Sequence, residues 1–519
     1  MTPDYDIAIL GLGPVGSAAA VLLARAGLKV IAFDRDKEVY LLPRAVNMDG
    51  EIIRGFQALG LGDELNAMMQ RLREGEWVGF VNSRREVIFG FEPSAGGVNG
   101  WDTNAFFDQP DIDGWLRNRA AAEADVDMRT GYEVSAFSEV EEGVELQTTN
   151  LDTNQRESFS AQYLLGCDGA SSLVRRSLGI SWQSLGYDQD WLVVDIELKS
   201  GHTLGPRTMQ VCDPDRLATY VATRDPYRRW EFRLNDGEDP EAFCAEANVR
   251  ELIEQWTPPG TYSLRRSALY TFHAAVAGSW RAGRVLLAGD AAHQTPPFLG
   301  QGMNAGMRDV LNLAWKFKLI KQGKATEALL DSYQAERDAH ARDLVDWAVN
   351  IGKLMEFFAA TEQAERDGTP PPPPMDQSSG YGQGRTVPPL RDGVICHQQV
   401  GLERPCGFLF SQPDVLTSAG ERVRLDDLLG NGFAVVHRGQ VPAIDDISTE
   451  LLAATGGRLV GIDELEVVRG QWDRLLDEHD AVVVRPDRYV YGFTTEQISV
   501  NDLLHDAAQQ MSLIPANRS

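Results

Sequence analysis

Three stretches of this chain place glycines and acids at a spacing that suits one task, the holding of a nucleotide. Gly11-Leu12-Gly13-Pro14-Val15-Gly16 follows the apolar run Asp6 to Leu10 and opens a helical pattern, and Asp34 closes the next apolar run. The first glycine permits a tight turn. The second lets backbone approach a pyrophosphate, and the third brings helix close to strand. The helix start offers free N–H groups and a partial positive charge to the phosphate. Asp34 stands where a carboxylate accepts hydrogen bonds from ribose hydroxyls.

The second stretch begins with the apolar run Val285 to Ala288 and stops on Gly289-Asp290. A carboxylate ending a buried strand is costly unless hydrogen-bonded, and a ribityl or sugar hydroxyl chain is a suitable partner. His293, the pair Pro296-Pro297 and then Gly300-Gln301-Gly302-Met303-Asn304 lead into another helix, whose free N–H groups would face a second polar cofactor edge. His293 reads as a loop organiser ahead of a catalytic group. The third stretch, Leu164 to Ile180, ends a short strand on Asp168-Gly169 and continues through Ser172 and Arg175. A strand-to-helix turn with Ser172 as N-cap is its competing reading.

These motifs need an α/β frame. Residues 5–34 read as strand, glycine turn, helix, strand, with the helix ending at Gly27. From about 75 to 110 and again from 185 to 275, short alternating runs such as "DWLVVDIEL" and "RRWEFRL" predict antiparallel strands, a second layer inserted into the first. Val310, Leu313, Ala314 and Phe317 fall at helical spacing, and helix with breaks is expected to about 360. Residues 366–392 form a linker with five consecutive prolines, Pro370 to Pro374, followed by Gly/Ser/Gln-rich chain. The remaining stretch alternates strands and helices like a small separate α/β domain.

The bulk numbers set limits. A chain of 519 residues suggests several domains. A net charge of −27 argues against nucleic acid or an anionic membrane as partner. The cysteines Cys167, Cys212, Cys244, Cys396 and Cys406 are scattered without a C-x-x-C, which predicts reduced thiols in a cytoplasmic protein and no metal site. No signal peptide and no membrane span are expected.

In this order and spacing the three motifs resemble those of the class A flavoprotein monooxygenases, the aromatic hydroxylases of the p-hydroxybenzoate and phenol hydroxylase type. "PRAVNMDGE", "CDGASSLVRRSLGI", "DWLVVD", "RRWEF" and "GRVLLAGDAAHQTPPFLGQGMNAGMRDVLNLAWK" are similar to the 3-(3-hydroxyphenyl)propionate hydroxylase group. The resemblance implies a Rossmann-like FAD-binding domain of the GR2 type (1–75, 100–180, 280–365). It further implies an inserted mixed β-sheet substrate domain (76–99, 181–279) and a thioredoxin-like C-terminal domain without C-x-x-C (393–519).

The resemblance also implies the chemistry: FAD reduced by NADH or NADPH, reaction with O2 to a flavin C4a-hydroperoxide, and transfer of OH to a phenol. The substrate it suggests is a 3-hydroxyphenylpropionate-like acid, with a hydroxyquinolone, resorcinol or polyketide phenol as the enzymatic alternative. A non-catalytic flavin-binding regulatory module is the alternative of another class, and a homodimer is possible. Gly11, Gly13, Pro14, Val15, Gly16, Asp34 and Arg35 are expected at the adenosine and pyrophosphate. Arg44, Gln109, Asp168 and Asp290 are expected along the phosphates and ribityl chain. Pro297 and Gly300, Gln301, Gly302, Met303 and Asn304 are expected beside the isoalloxazine, with the Pro297 carbonyl facing the site of hydroxylation. The phenol hydroxylases carry an aspartate where this chain has Val46, so no base transfers. Asp49 and Tyr220 are the leading candidates for that role, with Arg224, Arg229 and Glu231 behind them. Gln210, Tyr220, Trp230 and Phe232 are candidate substrate contacts, core packing being the competing role for Trp230 and Phe232.

Overall fold

The computed structural model describes residues 3–71, 77–91, 97–205, 208–375, 387–402 and 405–513. The Gly/Ser-rich part of the expected linker and the last residues of the chain lie outside them.

The first sheet follows the glycine turns. Its central strands are parallel, in the order Val285–Leu287, Arg156–Gly166, Tyr5–Leu10, Val30–Asp34, Val126–Thr130. Strands buried on both faces read as near-continuous apolar runs, and Ile7 to Ile9 and Val30 to Phe33 are 0% exposed. The helix Pro14–Arg25 crosses behind Tyr5–Leu10 and carries small residues against the sheet. Gly16 is required there, because a Cβ would stand 1.8 Å from the Gly11 carbonyl oxygen. The helix Gly302–Lys321 packs beside it, with Gly306 allowing close approach to Val15.

The second sheet has eight strands, ordered His293–Gln294, Tyr262–Ala277, Trp182–Leu198, Tyr227–Arg233, Ala218–Val221, Thr208–Cys212, Val78–Asn82, Val87–Phe91. Only the pairing of Thr208–Cys212 with Val78–Asn82 is parallel. His293–Gln294 joins this sheet directly from the Asp290 loop, so the two sheets are stitched together at the motif itself. The helix Asp331–Asp367 runs past the expected end near 360 and bridges both sheets, its middle packing on Thr208–Cys212 and the Pro297–Leu299 turn.

Beyond the linker a four-stranded sheet runs Arg458–Gly461, Ala434–His437, Ala481–Val484, Val490–Phe493, with helices Asp446–Thr455 and Val500–Gln510. Its core takes in Trp315 and Leu319 of the Gly302–Lys321 helix. Buried ion pairs tie it down: Arg54 to Asp426 at 2.7 Å, and Arg485 to Glu336 at 2.7 Å. Among the described residues no helix is long and apolar enough to cross a membrane.

Candidate active site

One cavity of about 700 Å³ runs between the two sheets. Gly13, Pro14 and Asp290 line one end, and Gln210, Thr219 and Glu231 line the other. Arg44 to Asn47 and Gly300, Gly302 and Met303 flank its middle.

Backbone builds the first end. Gly11, at φ +97°, turns the chain out of its strand. A Cβ on Gly13 would meet nothing within 4 Å, so the backbone there is open to whatever fills the cavity. Asp34 sits at the end of its strand and accepts from Leu12 N at 2.8 Å and from Arg117 Nη2 at 2.9 Å. Arg35 is exposed beside it and does not line the cavity. Gln109 Oε1 accepts from the amides of Arg44 and Ala45 at 2.6 and 2.7 Å, fixing the loop that overhangs the middle of the cavity.

Asp290 sits in the turn after the strand Val285–Leu287 with its side chain exposed to the open cavity, and it has no hydrogen bond or ion pair among the described residues. Burial pushes its pKa up, against the pull of His293 and Arg44. An orphaned carboxylate beside an open glycine turn and two helix starts is what a hydroxyl-rich dinucleotide would complete, and FAD fits these residues.

Gly300, at φ +61°, ends the Pro297–Leu299 turn, where a Cβ would meet the Asn47 side chain at 2.0 Å. Gln301 and Asn304 depart from expectation, because their side chains point back into the protein. Gln301 bonds Asp49 and Arg308, while Asn304 bonds the Asp49 amide and the Gly300 and Asn47 carbonyls. They hold the turn, and Gly302 and Met303 meet the cavity. Asp168 is likewise not on the wall. Its Oδ2 accepts from Val174 N at 3.0 Å, so it braces the next helix while Cys167 and Gly169 line the cavity. Ser172 is the N-cap of that helix, and Arg175 reaches the Ala291 carbonyl at 2.9 Å. His293 organises its loop, 2.7 Å from Asp309. Burial raises the Asp309 pKa, but His293, Arg337 and the Gly289 amide outweigh it and hold the carboxyl below its ordinary range.

The sheet end corrects the catalytic expectations. Asp49 is buried at a helix start, its Oδ2 2.6 Å from Arg308 and 3.0 Å from Gln301. It is neither solvated nor on the cavity wall. Tyr220, Trp230 and Phe232 also leave the site. They pack on the opposite face of the sheet with Val249 and Ile253, and Tyr220 stacks 5.3 Å from Trp256 and donates to the Gly205 carbonyl at 2.9 Å. Successive side chains of a strand alternate between faces, so the neighbours of these aromatics are the ones that line the cavity: Thr219 and Val221, and Arg229 and Glu231. Arg224 is bound to Asp111 at 2.7 Å, away from the wall.

Two rows cross the cavity face. In one, Gln210, Thr219 and Glu231 lie on neighbouring strands in register. Thr219 Oγ1 donates to Gln210 Oε1 at 2.7 Å, and Gln210 Nε2 donates to the Phe298 carbonyl at 3.3 Å. In the other, Arg229, Asp195 and Arg266 lie side by side. Arg229 forks onto Asp195 at 2.8 and 3.1 Å and also donates to the Pro43 and Arg44 carbonyls. Arg266 donates to the Pro43 carbonyl through Nη1 and stands 3.6 Å from Asp195. Sequence reasoning missed Arg117, Asp195 and Arg266. The wet side of the shared strand was signalled in "RRWEFR", where Arg229 and Glu231 alternate with Trp230 and Phe232 as on a strand with one wet and one dry face, while Asp195 and Arg266 come from the two strands beside it.

Residues 4–348 match the FAD binding domain family, and residues 407–510 match the HcaD C-terminal domain. The chain belongs to the FAD-dependent aromatic hydroxylases, flavoprotein monooxygenases. Within that class it resembles the 3-(3-hydroxyphenyl)propionate hydroxylase group. It is 32% identical to a 3-(3-hydroxy-phenyl)propionate/3-hydroxycinnamic acid hydroxylase of Klebsiella pneumoniae, over 99% of this chain and 97% of that one. With the enzyme of the same name from Escherichia coli K12 it shares 31%, over 98% and 95%. Among solved structures, aklavinone-11 hydroxylase with FAD and aklavinone superimposes with a TM-score of 0.81 at 24% identity, covering 98% of this chain and 99% of that one. The flavin-dependent monooxygenase PieE, in complex with FAD and substrate, gives 0.79 at 20%, over 98% and 100%. These two share the fold. The regulatory-module alternative is set aside by the full-length match to hydroxylases.

Proposed function

We propose that this enzyme hydroxylates a phenol bearing a short acid side chain, a 3-(3-hydroxyphenyl)propionate-like compound, with NADH or NADPH and O2. The observation that carries the reading is the single cavity joining the Gly13-Pro14 turn to a polar sheet face. Bound FAD supplies the activation of oxygen. The chain's own groups do the rest. Gly13, Asp290 and the two helix starts hold the cofactor, and Pro297 and Gly300 to Met303 form the wall beside the ring, their first N–H groups favouring negative charge. The sheet face orients the aromatic.

Arg266 supports an acid arm on that aromatic. It is a buried cation on the cavity wall, its guanidinium over the Tyr270 ring at 4.6 Å, and its Nη2 has no hydrogen-bond partner among the described residues. Glu231 and Arg266 lie two strands and two residues apart, about 12 Å between Cα atoms from sheet spacings. A phenol with a three-carbon acid arm bridges that span once both side chains lean inward. The relatives' printed names point to the same substrate class.

We read the units as 1–75, 100–180 and 280–365 for FAD and 76–99 and 181–279 for substrate, with 293–294 added to the latter sheet. The C-terminal unit reads as thioredoxin-like. In its four-stranded sheet Ala434–His437 and Arg458–Gly461 are parallel and joined by the helix Asp446–Thr455, and the antiparallel strands Ala481–Val484 and Val490–Phe493 and the helix Val500–Gln510 follow.

The test is NADH and NADPH oxidation by the FAD-loaded protein, with and without 3-(3-hydroxyphenyl)propionate, with product mass read in the same tube. Stimulated oxidation with a product heavier by one oxygen is the expected result. Absence of stimulation by this acid, with stimulation by a bulkier polyketide phenol, would replace the substrate.

A further inference from the structure

We propose that Glu231 is the catalytic base that takes the phenol proton before hydroxylation. The proposal rests on the phenolic substrate proposed above. Glu231 and Asp290 are the two carboxylates lining the cavity among the described residues, and neither has a hydrogen bond or ion pair there. Asp290 sits at the cofactor end beside the glycine turn. Glu231 sits at the sheet end, 4% exposed, on the face opposite the aromatic core.

A buried carboxylate without a partner is costly and calls for a ligand group that pairs with it. An acidic O–H is such a group. The neighbours of Glu231 agree. On the adjoining strand Thr219 spends its hydroxyl proton on Gln210, and the Gln210 amide is held by the Phe298 carbonyl beside Pro297. The chain of bonds therefore fixes the row from the sheet to the loop that walls the cofactor end. It leaves Glu231 as the free acceptor at the end of that row.

The charged and titratable groups around it are Arg229 and Arg233 on its own strand, Asp195 and Tyr187 on the next, and Arg266 on the one beyond. Arg233 is engaged with Glu356 at 2.7 Å, and Arg229 with Asp195. Burial pushes the Glu231 carboxyl up to about 7, with Asp195 adding to the rise and Arg229 and Arg266 opposing it. A base poised near neutral pH is the most effective kind.

The step balances simply. The phenol O–H bond breaks and an O–H bond forms on the Glu231 carboxylate, while the electron pair stays on the phenolate oxygen. Negative oxygen pushes electron density into the ring at the carbon that receives OH. As the ring regains aromaticity the C–H bond at the hydroxylated carbon breaks and its proton leaves to solvent, the electron pair returning to the ring, while Glu231 gives its proton back to the phenolic oxygen; no electron passes to or from the protein.

The test compares wild type, Glu231→Gln and Glu231→Asp as FAD holoenzymes, with product formed per NAD(P)H consumed as readout. Glu231→Gln keeps shape and removes the base, so product formation should fall about 100-fold or more, while flavin content and acid-stimulated NAD(P)H oxidation persist. Wild-type product formation should drop as pH falls through about 7, and the variant should lack that limb. A ring-fluorinated analogue, already ionised at the assay pH, should restore product in Glu231→Gln. Glu231→Asp should retain part of the activity with the acidic limb intact, which guards against a folding defect in the glutamine variant. A Glu231→Gln enzyme with wild-type product yield and pH profile would overturn the proposal and leave the substrate reading standing. So would a loss of product that the ionised analogue does not repair. A wild type that makes no product from any phenolic acid would overturn the substrate reading and this proposal with it.

Discussion

The two faces of the second sheet have almost the same strands and opposite jobs. One face is dry: Tyr220, Trp230 and Phe232 interlock over the helix Glu246–Glu254. The other is wet: Gln210, Thr219 and Glu231, with Arg229 and Arg266, line the cavity, and Asp195 braces Arg229 between the two arginines. Stability is concentrated on the first and recognition on the second. The lesson is that an aromatic residue in a strand near a ligand site is as apt to be its back wall as its lining.

The contrast can be broken in several ways, and one control lies outside the sheet. Gly16→Ala should have the largest effect, since its Cβ would overlap the Gly11 carbonyl at 1.8 Å and force the helix off the turn. Purified protein should carry almost no flavin by absorbance, whatever the sheet does. Within the sheet, Trp230→Ala on the dry face should cost about 3–5 kcal/mol in chemical denaturation. Residual folded enzyme should still bind the aromatic acid. Glu231→Gln on the wet face should act on stability only through pH. Its folded-state pKa is raised to about 7 from 4.5, so wild-type stability is full below about 4.5 and is lost as pH rises through about 7. The variant should lack that decline and be the more stable of the two at pH 8, by roughly 1–3 kcal/mol, in urea titrations at pH 5 and pH 8. Tyr220→Phe should be the mildest. It loses one hydrogen bond to the Gly205 carbonyl, about 1 kcal/mol, and its product yield should match wild type. A large loss of turnover in that variant would blur the distinction between the faces.

The cofactor end of the site was legible in the sequence because its constraints are local. Gly11, Gly13, Gly16 and Gly300 are needed by turns a few residues long, Asp34 ends the strand Val30–Asp34, and Asp290 sits in the 3-10 turn just after the strand Val285–Leu287. The substrate end was not. Whether Trp230 or Glu231 faces the cavity depends on which sheet face the helix Glu246–Glu254 covers, and a shift of one residue exchanges the two sets. Gln301, Asn304 and Asp49 were missed in their actual roles for a similar reason. Arg308, the partner of Gln301 and Asp49, lies two turns along the helix from Gln301 and far from Asp49 in sequence, Asn304 reaches the distant Asn47 and Asp49 backbone, and nothing in the spacing of "GQGMN" announces either. Asp168 shows the reverse case, a motif residue whose visible local duty is to brace the helix after it.

The most direct test of the account is a crystal structure of the FAD holoenzyme with 3-(3-hydroxyphenyl)propionate bound. The account predicts the ring on the wet face, its phenol oxygen within hydrogen-bond distance of Glu231 and its carboxylate toward Arg266. A ligand seated among Tyr220, Trp230 and Phe232, or one whose carboxylate lies against Glu231 with the phenol at Arg266, would contradict it.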